Sequence, residues 1–185
     1  MESNRAVQAR QAWAALETAH CLYTEAQVVA ALDVLAARLK AAVGHLNPLI
    51  MVVLNGAVVF AGQLLPRLVF PLEVDYVHAT RYAGALTGGT LSWVAGPSQS
   101  VEGRTVVLLD DILDEGHTLA AAASKLRESG AAQVLKAVLV TKDRPRGAGL
   151  EADFSALDVP DRYIFGWGMD YEGFLRNAKG IYALP

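Results

Sequence analysis

Between residues 24 and 43 the apolar positions Val28, Leu32, Leu35, Leu39 and Val43 recur at the helical period and fall on one stripe. Thr24 precedes the stripe with Gln27 three positions on, the spacing of a capping box, and Gly44 follows as a stop. The spacing predicts a helix over 24–43. Residues 4–19 also read as helical, with a less distinct apolar face. The pattern then changes. Leu49 to Leu54 is an unbroken apolar run, as in a strand covered on both faces, Asn55-Gly56 reads as a turn, and Ala57 to Leu68 as a helix. Leu72, Val74, Tyr76 and His78 alternate with Glu73, Asp75, Val77 and Ala79, the period of a strand. Val106 to Leu109 predicts a strand, Leu119 to Ser129 a helix closed by Gly130, and Val134 to Val140 a further strand. Strands alternating with helices imply right-handed crossovers and an α/β fold with a mainly parallel sheet. Residues 83–100, rich in Gly, Ser and Thr, predict a loop around a short strand at 90–94, and Thr141 to Pro160 reads as a loop. Residues 161–185 set Tyr163, Phe165, Trp167, Tyr171 and Phe174 among glycines, too aromatic a composition for a disordered tail.

Composition narrows the class. A chain of 185 residues with 53% hydrophobic residues suits one domain. At that size a fold buries roughly 70% of its unfolded surface, so it needs neither disulfide nor structural metal. A net charge of -3 argues against nucleic-acid and anionic-membrane partners, which call for a basic face. The uncharged stretch 41–66 is long enough to span a bilayer, but His45, Asn47, Pro48, Asn55, Gly56 and Gln63 interrupt it. With no secretory pattern at the N-terminus, a soluble cytoplasmic protein is expected. Cys21 is the only cysteine, which excludes an internal disulfide; a buried, inert thiol is expected. His20, His45 and His78 share no metal-ligand spacing and read as structural.

The informative run is Val106 to Leu119. A buried strand delivers Asp110 and Asp111 at its carboxyl end, a loop follows with Asp114, Glu115 and Gly116, and a helix begins near Thr118. In open α/β sheets ligands bind outside the carboxyl ends of strands. Free N–H groups at a helix N-terminus attract an anion, and glycine lets the backbone come close to it. Carboxylates beside a phosphate cradle suit a sugar phosphate, whose hydroxyls donate to acids, with Mg²⁺ bridging acids to pyrophosphate. Any two of these acids alone would only terminate a strand; the whole order points to a ligand.

This run resembles the signature by which type I phosphoribosyltransferases bind phosphoribosyl pyrophosphate (PRPP), and within them the hypoxanthine-guanine branch. Leu54-Asn55-Gly56 is similar to the family's first active-site loop and Arg81-Tyr82 to the start of its lid. Tyr163 to Tyr171 with Arg176 resembles its purine-binding segment. The resemblance implies a Rossmann-like parallel sheet flanked by helices as a core over about 46–145, with a small hood from about 1–45 and 160–185. It implies Mg²⁺-dependent transfer of phosphoribose from PRPP to a 6-oxopurine, and a homodimer or homotetramer. Asp110 and Asp111 would hold the ribose hydroxyls directly or through Mg²⁺, and Asp114 would exchange a proton with purine N7. Glu115, Gly116, His117 and Thr118 would hold the 5′-phosphate. Lys142 would donate to O6, Tyr163 would stack on the base beside Ile164, Asp170 would bind Mg²⁺, and Arg176 would meet pyrophosphate. A lysine there is a donor only, so it suits a purine carbonyl and disfavours the amino group of adenine.

Three positions depart from the family. Asn55 stands where many members have lysine, Glu115 where threonine is frequent, and His117 where a basic or apolar residue is usual. Crowding of Asp110, Asp111 and Asp114 should raise one carboxyl pKa, without indicating which. Two alternatives stay open: a non-catalytic PRPP or nucleotide sensor, and an enzyme preferring xanthine.

Overall fold

The computed structural model describes residues 3–81, 91–147 and 149–185, the side chains of 79–81 and 91–93 excepted. Helix α1 (Asn4–Thr18) and strand β1 (His20–Tyr23) lead into α2 (Glu25–Val43). Thr24 caps α2 as expected: its hydroxyl accepts from Gln27 N, and the Gln27 amide oxygen accepts from Thr24 N at 2.9 Å. Strand β2 (Leu49–Leu54) and α3 (Ala57–Leu64) follow. Helix α3 is shorter than expected, because Pro66 cannot donate to the ladder and residues 65–67 tighten into a 3₁₀ turn.

Strands β3 (Glu73–Arg81) and β4 (Leu91–Ala95) form an antiparallel pair. Then come β5 (Thr105–Leu113), α4 (His117–Glu128), β6 (Gln133–Asp143) and β7 (Phe154–Pro160). They complete a six-stranded sheet of order β4-β3-β2-β5-β6-β7, parallel except at β4. Short strands β8 (Ile164–Phe165) and β9 (Ile181–Ala183) join β1 in a separate antiparallel sheet, β1-β9-β8.

Helices cover both faces of the main sheet. The α2 stripe and Phe60, Ala61 and Leu64 of α3 pack with Ile50, Val52, Val107 and Leu109 on one side. On the other, Leu119, Ala122, Ala123 and Leu126 of α4 pack with Leu49, Met51, Val106 and Leu108. Burial on both faces is why β2 and the start of β5 carry no polar alternation. Trp167, Met169 and Ile181 join the α2–α3 core, so the small sheet shares its apolar interior with the large one.

Several expectations are corrected. Residues 154–160 are a strand, not loop, and β5 and β6 run further than their apolar stretches. On β3 the apolar set Val74 and Tyr76 is exposed, whereas Asp75 and Val77 are buried. The carboxylate is tolerated because Tyr76 N, Ser98 N and Gln99 N all donate to it, outweighing the burial that would raise its pKa and leaving it below the usual range. Cys21 is exposed, since β1 is an edge strand paired on one side only. Arg81, by its side chain, and Tyr82 lie outside the described residues. Among those described, no helix is long and apolar enough to cross a membrane.

Candidate active site

The carboxyl ends of β2, β5 and β6 meet at one edge of the sheet, and the segment 163–170 closes over them. Two adjoining cavities result. The first, of about 260 Å³, is lined by Gly56, Asp110, Asp111, Asp114 and the loop 115–118. The second, of about 200 Å³, is lined by Ile112, Lys142, Tyr163, Ile164, Met169 and Asp170. Asp111, Ile112 and Asp114 belong to both, so a ligand spanning the two crosses these residues.

The first cavity is built as an anion cradle beside an acid pair. Gly116 adopts φ 84°, a left-handed conformation that turns the chain out of β5 into α4. No side chain caps α4, which leaves its first-turn N–H groups directed at the cavity mouth, as anion sites require. Across from them Gly56 touches Asp111: a Cβ on Gly56 would lie 2.1 Å from Asp111 Oδ2. Only glycine lets the loop after β2 close on that carboxylate.

Burial, followed by the charge of Asp111, pushes the Asp110 carboxyl well above the ordinary carboxylate range. Burial also raises Asp111, against the opposing effect of its contact with Asp110 and the nearby Arg176 charge. Asp114 moves the other way. Burial would raise it, but Lys142 Nζ at 2.8 Å from Oδ2 and Arg144 Nη1 at 2.6 Å from Oδ1 outweigh that and hold it below the usual range. Burial therefore raises both members of the Asp110–Asp111 pair, repulsion between the acids adds to it only at Asp110, and Asp114 is held low by its two cations.

Two arginines in this arrangement escaped the sequence reading. Arg144 lies 3.7 Å from Asp161 and 4.0 Å from Glu115 as well as against Asp114. Arg146 donates to the carbonyls of Leu113, Asp114 and Lys142, which ties the end of β5 to the end of β6. Their signal was the cationic run Lys142 to Arg146 directly after an apolar strand.

The second cavity has a donor at one end and rings at the other. Lys142 is largely buried, and Tyr163 meets Tyr171 edge to face with centroids 5.9 Å apart. Asp170 is engaged on both oxygens, by Arg176 Nη2 at 2.7 Å and by Gly173 N at 2.7 Å. Arg176 also donates to Gly168 O at 2.6 Å. Asn55 is exposed and lines neither cavity, although its carbonyl accepts from Val58 N at the start of α3.

Among the described residues no three ligating side chains form a ready metal cage. The Asp110–Asp111 pair nevertheless fits Mg²⁺. Its donors are all oxygen, burial and repulsion make it seek a positive charge, and Mg²⁺ needs only one or two protein carboxylates beside substrate phosphates.

The phosphoribosyl transferase domain family matches residues 21–172. The hypoxanthine-guanine phosphoribosyltransferase of Streptococcus agalactiae serotype V is 32% identical over 161 residues, covering 86% of this chain and 89% of that protein. The Streptococcus thermophilus enzyme of the same name is 32% identical over 136 residues, or 73% of this chain and 76% of its own. Among solved structures, a hypoxanthine-guanine-xanthine phosphoribosyltransferase superposes with a TM-score of 0.81 at 30% identity, covering 89% of this chain and 96% of the other. A Staphylococcus aureus hypoxanthine phosphoribosyltransferase superposes at 0.83 with 27% identity, covering 90% and 91%.

Proposed function

The chain belongs to the hypoxanthine-guanine branch of the phosphoribosyltransferase family, and on that premise we propose how its site works. The reaction is purine salvage: the phosphoribosyl group of PRPP passes to hypoxanthine or guanine, and a nucleotide and pyrophosphate result. The observation that carries it is the pair of cavities sharing Asp111, Ile112 and Asp114, one suited to a phosphorylated sugar and the other to a flat base.

The 5′-phosphate rests on the N–H groups from Glu115 to Thr118 and on the Thr118 hydroxyl. Asp110 and Asp111 face the ribose hydroxyls. They would also hold Mg²⁺, which when bound offsets charge on the leaving pyrophosphate. Asp170, held by Arg176, would be free to hold the same Mg²⁺ once Arg176 turned to the pyrophosphate. Purine N9 bonds to ribose C1 as the bond from C1 to the pyrophosphate oxygen breaks, through an electron-poor carbon that water would quench.

The purine N7 proton passes to Asp114. In the ligand-free site two cations depress this carboxylate. When Lys142 turns its ammonium to purine O6, one of them is withdrawn and the proton affinity of Asp114 rises as the reaction requires. Tyr163 offers its ring to the base beside Ile164. Asn55 and Gly56 as the first active-site loop, without the lysine that many members place there, and Arg81-Tyr82 as the start of a lid that excludes water belong to the same proposal. So do a core and hood divided near residues 46, 145 and 160, a cytoplasmic location, and a homodimer or homotetramer. Val58, Val69, Val74 and Tyr76 are exposed apolar side chains that self-association could cover.

The test is a steady-state assay with PRPP, Mg²⁺ and each of hypoxanthine, guanine, xanthine and adenine. Turnover with the first two and none with adenine is expected; no turnover with any base refutes the proposal.

A further inference from the structure

The phosphate cradle contains an acid of its own. Glu115 directly precedes Gly116, and a carboxylate there repels the phosphoryl group that the α4 N–H groups attract. Three cations of the segment 142–146, which follows the apolar part of β6, stand near it and differ in what they engage. Lys142 is directed at the Oδ2 side of Asp114, and Arg146 donates to backbone carbonyls. Arg144 turns one arm of its fork, Nη1, to Asp114 at 2.6 Å and the other, Nη2, to Glu115 Oε1 at 4.0 Å. Asp161 lies 3.7 Å from the same Nη1 arm that meets Asp114.

We propose that Arg144 is a positioning residue that draws the Glu115 carboxylate out of the phosphate cradle while fixing Asp114, so that the two acids and the arginine act as one unit in PRPP binding. The inference rests on the reading of 115–118 as the 5′-phosphate site. A guanidinium suits the role because one rigid cation engages two carboxylates at once, which the single point charge of lysine does less well.

A double-mutant cycle with R144Q and E115Q tests this, read as KM for PRPP and kcat at saturating hypoxanthine. R144Q should raise KM for PRPP about three- to tenfold, within the range of coupled neighbours. E115Q should lower KM for PRPP by a clearly smaller factor in the native background than in the R144Q background, where Arg144 no longer offsets that charge. The double variant should return KM to within about twofold of the native value, while kcat stays lowered because Asp114 has still lost a contact. R144K should recover part of the KM loss, and salt should narrow the R144Q defect as the Glu115 charge is screened. A merely structural Arg144 would give no rescue of KM by E115Q. Additive effects, or equal tightening by E115Q in both backgrounds, overturn the proposal while PRPP binding by the native protein in calorimetry leaves the function standing. A native protein that binds no PRPP removes the function first and this inference with it.

Discussion

Asp110 and Asp114 lie four positions apart and answer opposite electrostatic surroundings. Asp114 is ionised against Lys142 and Arg144, so its folded pKa lies below the unfolded value of about 3.9. Its contribution to stability is present above that value and is lost as pH falls through the folded pKa. Asp114→Asn removes the proton acceptor but keeps the shape, and kcat should fall by about 10²–10⁴ with a much smaller rise in KM for PRPP. An equal loss in both would make Asp114 a binding group only. Asp110 has the reverse sign: its raised pKa means that its charged form opposes folding at neutral pH, and protonation relieves this as pH falls through the folded value toward about 4. Asp110→Asn should therefore stabilise the ligand-free protein near pH 7.5 by about 1 kcal/mol, or about 2–4 °C in Tm, while impairing turnover. The gain should close as pH drops through the folded pKa of Asp110; a Tm difference that ignores pH would refute the assignment. The acid run was legible in the sequence, but the identity of the displaced carboxyl was not. Asp110 is raised by its burial and by Asp111, whereas Asp114 is held low by Lys142 and Arg144, which the fold brings from 28 and 30 residues away.

At the scale of elements, legibility followed burial. Helix α2 and strand β2 were readable to within a residue because one is amphipathic with a complete capping box and the other is covered on both faces. Strand β7 was missed because it is an edge strand of mostly half-buried residues, which leaves neither a continuous apolar run nor a strict alternation. On β3 the apparent apolar face was misleading: Asp75 is buried through hydrogen bonds supplied by Ser98 and Gln99, which no local period records. The turn from β5 into α4 was recognisable from its glycine, and Gly116→Ala tests what that glycine does. The left-handed backbone alone costs about 1–2 kcal/mol with a Cβ present. The added atom would also lie 2.7 Å from Leu150 O, so the loop must move. KM for PRPP should rise by more than about tenfold while KM for hypoxanthine changes by less than about threefold, because only the cradle depends on that turn. A variant with native KM for PRPP would show that the α4 N-terminus does not hold the phosphate.

Across the whole molecule, the division of labour between the two sheets has the longest reach and was the least visible beforehand. The main sheet follows from local alternation of strand and helix. The small sheet joins His20–Tyr23 to Ile181–Ala183 across almost the full chain, a pairing that no window of sequence contains. Its central strand β9 is the sheet partner of both β1 and β8, and β8 carries Ile164 of the base slot beside Tyr163. Ile181 is fully buried in the core shared with α2, so Ile181→Ala should destabilise the protein by about 2–5 kcal/mol. The loss should not fall equally on the two substrates. The phosphate cradle hangs from β5 and α4. Helix α4 packs with Leu108 on the face of the main sheet opposite Ile181, whereas β5 reaches both faces, with Val107 and Leu109 in the core that holds Ile181. The base slot depends on β9 to hold β8 over it. KM for hypoxanthine should therefore rise about three- to tenfold in this variant, against less than about twofold for PRPP, under conditions where circular dichroism shows the fold intact. If both constants rose together, the two sheets would form one mechanical unit, and the base slot could not be altered independently of the phosphate cradle.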